Sequence, residues 1–338
     1  MMIVTLMLFL SAQCSCSGVP VVQQMVGSFE DSAVVTVTGC CFGSKATAAP
    51  NLWDTVENQP AYAGLSDGSV IPVSGGAPWG ERQAFGPEPA KYESSDVQRG
   101  TSSAFYKASR MVIGDRPVPG AQQLYLSWWE KSSINFCNGN HSSKVLRLNG
   151  NAKNIDGGAE RLSWTQQEFY VYDDNYLFES WKSLCMIPNK WTFFEIYADQ
   201  RGKRYWARVD NEPYFLETNV SGRSWDWTYV WRIGFDEGGV SPPGPVISVD
   251  DVYVDSTQAR VMIGNASSYD ASAALEMQIP TAWSDTAVSF RVNVGALGGE
   301  DVFVYVFDRD NDVSQGLAVP ANGGTAPDAP ANLRVRQQ

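Results

Sequence analysis

The sequence predicts an all-β protein of about two domains, on three observations. Short runs rich in β-branched and aromatic residues recur along the chain, each closed by Gly, Asn, Asp or Pro. No stretch of useful length carries the apolar period of an amphipathic helix. The chain holds 12 Trp, 14 Tyr, 15 Phe, 30 Gly and 18 Pro against a charged fraction of only 18%, a mixture typical of extracellular β proteins. With 338 residues, 43% of them hydrophobic, there is material for two cores.

The N-terminus reads as a processing signal. The apolar run Ile3 to Leu10 is followed by small and polar residues through Gly18, the layout of a secretory signal peptide and too short to span a bilayer. Cys14 and Cys16 raise lipid anchoring as an alternative. Gln13 and Ser15 precede them, and neither suits acylation, so plain export is expected and residues 1–18 are set aside. The expected location is secreted or cell-surface. No later segment is apolar enough to cross a membrane as a helix.

Strands are expected at Val34 to Thr38, Leu124 to Trp129, Lys144 to Leu148, Glu168 to Tyr172, Trp191 to Tyr197, Tyr205 to Val209, Val249 to Val254, Ala287 to Val294 and Val302 to Phe307. Residues 58–100 are rich in Gly, Pro and Ser and read as connections. Residues 321–338 read as a linker or tail. Asp308, Asp310 and Asp312 alternate as in a calcium loop but lack its Gly and distal Glu, which favours an Asp/Asn-rich hairpin turn.

Charge and histidine content narrow the function. A net charge of −12 argues against nucleic acid, which needs a basic footprint, and disfavours an anionic membrane surface. His141 is the only histidine, so a histidine dyad or a multi-histidine metal site is not expected. Beyond the signal, Cys40, Cys41, Cys137 and Cys185 allow three disulfide connectivities. Cys137 with Cys185 is preferred, since both end strand-like runs of the central region. Neighbours Cys40 and Cys41 pair poorly with each other, and one or both read as buried small residues.

The segment AVVTVTGCCFG at 33–43, followed by AAPNLWD, resembles the opening of IPT/TIG domains, which are immunoglobulin-like. Matching later strands lie far downstream, in ARVMIGNAS, LEMQIPTAWSDTAVSFRVNV and VFVYVFDRDNDVSQG. The resemblance implies a discontinuous Ig-like sandwich from residues 19–48 plus 257–320. A free N-terminal strand before two consecutive sandwiches is the alternative. The insert, residues 50–255, resembles the concanavalin-like jelly rolls of laminin-G-type and carbohydrate-binding modules, on WDTVE at 53–57, WTFFEIY at 191–197, RYWARVDNEPYF at 204–215 and SVDDVYV at 248–254. That resemblance implies a structural Ca²⁺ held by Glu57 with Asp250 or Asp251, because Ca²⁺ collects hard oxygens. The other reading is that both aspartates cap a solvated strand.

Strand alternation sorts the side chains of the insert. Leu124, Leu126, Trp128, Leu146, Leu148, Phe194, Ile196, Tyr205, Ala207 and Val209 fall inward. If the strands share a sheet, the opposite face carries Tyr125, Trp129, Lys131, Arg147, Glu195, Tyr197, Trp206 and Arg208. Such a face suits a polysaccharide or cell-surface glycan, since rings stack on pyranoses and Arg, Lys and Glu bond hydroxyls or carboxylates. Packing against a second domain would use the same residues. The leading expectation is therefore a glycan-binding or adhesion-type protein with no reaction to perform. A polysaccharide lyase or glycoside hydrolase on the same face, and a self-assembling surface or appendage subunit, are the alternatives.

Overall fold

The computed structural model describes residues 18–80, 89–95, 97–98, 105–109, 113–135, 143–150, 160–173, 175–236, 245–298 and 301–320. Its strands are β1 (Val21–Val26), β2 (Val34–Cys40), β3 (Leu52–Asp54), β4 (Lys91–Glu93), β5 (Phe105–Ser109), β6 (Ile113–Ala121), β7 (Leu124–Ser132) and β8 (Ser143–Asn149). They continue with β9 (Arg161–Thr165), β10 (Glu168–Tyr172), β11 (Tyr176–Trp181), β12 (Thr192–Asp199), β13 (Arg204–Val209), β14 (Glu212–Thr218), β15 (Trp227–Asp236) and β16 (Val246–Asp255). The last are β17 (Arg260–Gly264), β18 (Leu275–Met277), β19 (Ile279–Trp283), β20 (Ala287–Arg291), β21 (Phe303–Phe307) and β22 (Leu317–Ala318). No α-helix occurs among the described residues, and all the strand pairs are antiparallel. The all-β, multi-sheet class that the composition predicts is the class observed.

Four sheets make two sandwiches. The larger pairs a six-stranded sheet, β11-β10-β9-β8-β15-β6, with an eight-stranded one ordered β14-β13-β12-β7-β16-β5-β4, where β3 adds to β16. Between them lies a core of Leu124, Leu126, Trp128, Leu146, Leu148, Leu162, Trp164, Phe194 and Ile196, among others. The smaller sandwich pairs β1-β2-β20-β19 with β18-β17-β21-β22. Its core joins Met25, Val35, Val37 and Phe42 to Val261, Ile263, Val288, Phe290 and Val304. Val34 to Thr38 is a clean alternating strand, and in β2 it lies opposite Arg291 to Ala287 of β20. Residues far apart in sequence therefore share one sheet.

The two bodies meet face to face. Tyr125, Phe193, Tyr197, Trp206 and Tyr253 on the outer face of the eight-stranded sheet pack on Met262, Leu275, Met277, Tyr305 and Phe307 of the smaller sandwich. Among the described residues no helix is long and apolar enough to cross a membrane. Asp308 takes the turn role expected of it: its Oδ1 accepts the backbone N–H of Asp310 and of Asp312, each at 2.9 Å, closing the loop between β21 and Val313.

Candidate functional site

Alternation along β7, β12 and β13 runs as the sequence dictates, but the face it exposes in sequence is covered in space. Tyr125, Glu195, Tyr197 and Trp206 are buried, because the smaller sandwich lies on them. Glu195 sits at the centre: it accepts hydrogen bonds from Tyr125 Oη at 2.7 Å and Tyr269 Oη at 2.5 Å and pairs with Arg260 at 3.3 Å. Arg260 in turn lies 3.6 Å from the Phe307 ring centre and 4.4 Å from that of Tyr125. Trp206 donates Nε1–H to Gln258 at 2.6 Å. This desolvated network, in which Arg260 Nε alone is left without a hydrogen bond to a described residue, joins the two sandwiches.

Trp129 and Lys131 continue along the same strand, Trp129 half-buried against Phe193 and Lys131 buried over the Trp191 ring at 4.9 Å. Arg208 is half-buried and reaches the rim of a cleft between the bodies. Arg147 belongs to β8 in the other sheet. The single open face of eight residues therefore does not form, since its strands divide between two sheets and its aromatic centre is an internal interface.

The six-stranded sheet carries an exposed counterpart. Along its outer face Tyr172 stands between Tyr176 and Arg161, Tyr170 between Glu179 and Ser163, and Glu168 opposite Trp181. The extra residue Leu177 makes this arrangement: a register shift at Val171/Tyr172 lets Phe178 enter the core against Phe169 while Tyr176, Glu179 and Trp181 face out. Tyr176 is 58% and Trp181 69% exposed, on the edge strand β11. The Tyr176 ring meets those of Tyr170 and Tyr172 edge-on at 5.3 and 5.4 Å. The Arg161 guanidinium lies 5.3 Å from the centre of Tyr170 and 5.0 Å from that of Tyr172, a cation–π arrangement that holds the rings in place. Deeper on the same face Arg147 donates Nε–H to Ser163 Oγ at 3.2 Å and stands 5.3 Å from the Trp231 ring.

A carboxyl pair borders the rings. Glu168 is raised from 4.5 to about 7 by desolvation, then by hydrogen bonding to and repulsion from Glu179, against the opposing pull of Lys144 and Arg161. Burial is the leading cause of the direction, and the neighbouring Glu179 carboxyl adds to it.

The sequence names Arg147 as a candidate, but on one face with Tyr125 and Trp206, and marks EFYVY as a strand; it does not single out Tyr176, Glu179 or Trp181. Alternation from Tyr172 and Tyr170 was available as a signal; the bulge at Leu177 breaks the period that would have carried it into β11.

The remaining expected sites fare differently. Asp250 and Asp251 are buried in β16 at a register shift, with Asp251 at φ 48°, and Glu57 is exposed in the turn after β3. Among the described residues no three acidic, cysteine or histidine side chains gather as a ligand set. Glu57, Asp250 and Asp251 thus do not by themselves gather into such a carboxylate set. Cys40, Cys41 and Cys185 are each disulfide-bonded, so Cys40 and Cys41, although buried, are not free thiols. Cys137 and His141 lie outside the described residues, as do the signal segment to residue 17 and the tail from 321.

No family model matches this chain, and no curated protein does. Among solved structures it is similar to a sialidase at 12% identity and a TM-score of 0.36, covering 67% of this chain and 21% of that one. It is similar to a protein described under the cell entry of botulinum neurotoxin type C and its two ganglioside molecules, at 12% identity, TM-score 0.29 and 50% and 44% coverage. The botulinum neurotoxin serotype D ligand-binding domain, in complex with N-acetylneuraminic acid, is similar at 13% identity, TM-score 0.32 and 65% and 66% coverage. The chain thus spans about a fifth of the first and under half of the second, and likeness at this level does not reach individual residues.

Proposed function

We propose that this is an exported recognition protein that binds a polysaccharide or cell-surface glycan on the outer face of β9, β10 and β11. The observation that carries the reading is the pair of exposed rings, Tyr176 and Trp181, on the sheet edge beside Tyr172, Arg161 and Glu168. Rings of this kind stack on the apolar faces of pyranoses, while a guanidinium and carboxyls direct hydrogen bonds to hydroxyls. In this reading residues 50–255 form the recognition body, and residues 19–48 with 257–320 form the sandwich that presents it.

The geometry favours binding over turnover. Retaining hydrolases straddle the scissile bond with carboxyls about 5 Å apart, whereas Glu168 and Glu179 hydrogen-bond to each other and leave no room for a bond between them. The test is a glycan array and polysaccharide-depletion screen of residues 19–338, with each retained polymer assayed for cleavage. Tyr176→Ala and Trp181→Ala are each expected to weaken retention by about tenfold, without new reducing ends or unsaturated products. Unchanged retention in both variants sinks this face as the site, and released products replace binding with catalysis.

A further inference from the structure

The cleft between the sandwiches has features that the glycan face does not use. A cavity of about 300 Å³ opens where β13 and β14 meet the smaller body, a size at the lower end of ligand pockets. Residues two apart share a side of a strand, so β13 presents Arg204, Trp206 and Arg208 together, and all three line the cavity. Leu216, 60% exposed, and Val313 supply apolar walls from the two bodies. Two guanidiniums meet one lining carboxylate, Asp270, in a protein whose net charge is −12.

Both arginines are poised for an anion. Arg204 Nε is buried and makes no hydrogen bond to any described residue. Arg208 is held over the Tyr269 ring at 4.8 Å and donates from Nη2 to Asp270 Oδ1 at 2.8 Å. The Asp270 side chain is 78% exposed against 20% for Arg208, so this carboxylate reaches in from solvent to a fixed guanidinium. A surface pair of that kind is worth little and exchanges readily, and its geometry is the one an incoming carboxylate would take up.

We propose that this cleft is a second binding site, for the carboxylate of a sugar acid of one or two rings, which displaces Asp270 from Arg208 and also engages Arg204. The sugar ring lies between Leu216 and Val313, over a floor to which the largely buried Trp206 contributes. The site stands on other residues than Tyr176 and Trp181 and does not depend on the glycan face.

The test is calorimetric titration of the full chain with a uronic-acid disaccharide, its methyl ester and a sulfated disaccharide. The free acid is expected to bind at least about tenfold more tightly than the ester, and Arg208→Gln to lose about that factor. Asp270→Ala, at an exposed position that leaves the fold intact, is expected to tighten binding by roughly two- to fivefold, because the internal competitor is gone. Tyr176→Ala is expected to leave this titration unchanged. Equal binding of acid and ester, no tightening in Asp270→Ala, or a preference for the sulfated disaccharide overturns the assignment. Loss of uronate binding in Tyr176→Ala also overturns it, by locating the ligand on the other face.

Discussion

Glu130 shows how far one side chain can depart from its ordinary chemistry. It is fully buried in β7, receives a hydrogen bond from Trp128 Nε1 at 3.1 Å, and its Oε1 has no partner among the described residues. Desolvation raises its carboxyl from 4.5 to about 8, with the Trp128 bond pulling the other way. Since the folded value lies above the unfolded one, the native state holds this proton where the unfolded chain has released it. Its contribution is fully present below pH 4.5 and is lost as pH rises toward 8. Glu130→Gln keeps the shape without the titration. Relative to the parent, the variant is expected to gain a few kcal/mol between pH 4 and pH 9, measured by denaturant unfolding at both. A stability difference that does not change with pH would remove Glu130 from the acid–base balance of folding.

Individual strands differ in how openly the sequence states them. In β7, β12 and β13 the inward residues Leu126, Trp128, Phe194, Ile196 and Ala207 can be read from alternation alone, because each strand is regular over the residues in question. What covers the opposite face cannot be read that way: Tyr125 and Tyr197 look the same in sequence whether they meet a sugar or Met277 and Tyr305. Burial there is decided by another part of the chain. β11 is hidden for a local reason, the extra residue Leu177, which puts Tyr176 and Trp181 on the same outer face although they stand an odd number of residues apart. The β1–β2 pair holds a further local constraint. A Cβ on Gly39 would fall 1.9 Å from the carbonyl oxygen of Val21 and 2.8 Å from the Phe42 ring. Gly39→Ala is expected to cost about 2 kcal/mol or more in chemical unfolding, by forcing β1 away from β2. A neutral result would mean that β1 yields at no cost.

At the scale of the whole molecule the joint is polar as well as aromatic. Arg260 and Glu195 are both 0% exposed in their side chains, so removal of either leaves an uncompensated buried charge. Arg260→Met is expected to cost about 3–5 kcal/mol, and Arg260→Met with Glu195→Leu less than the sum of the two single changes. Calorimetry is also expected to resolve two transitions in Arg260→Met where the parent shows one, since the two cores are otherwise separate. Strict additivity would show that the pair acts independently. The two passages of chain between the bodies run side by side, fastened by Lys45 Nζ on Asp255 Oδ2 at 2.6 Å. Strands β1 and β22 both belong to the smaller body. A pull transmitted along those strands is therefore carried across the smaller sandwich, and the larger one hangs outside the line of tension. Its exposed rings keep their spacing while the neighbouring sheets bear the load.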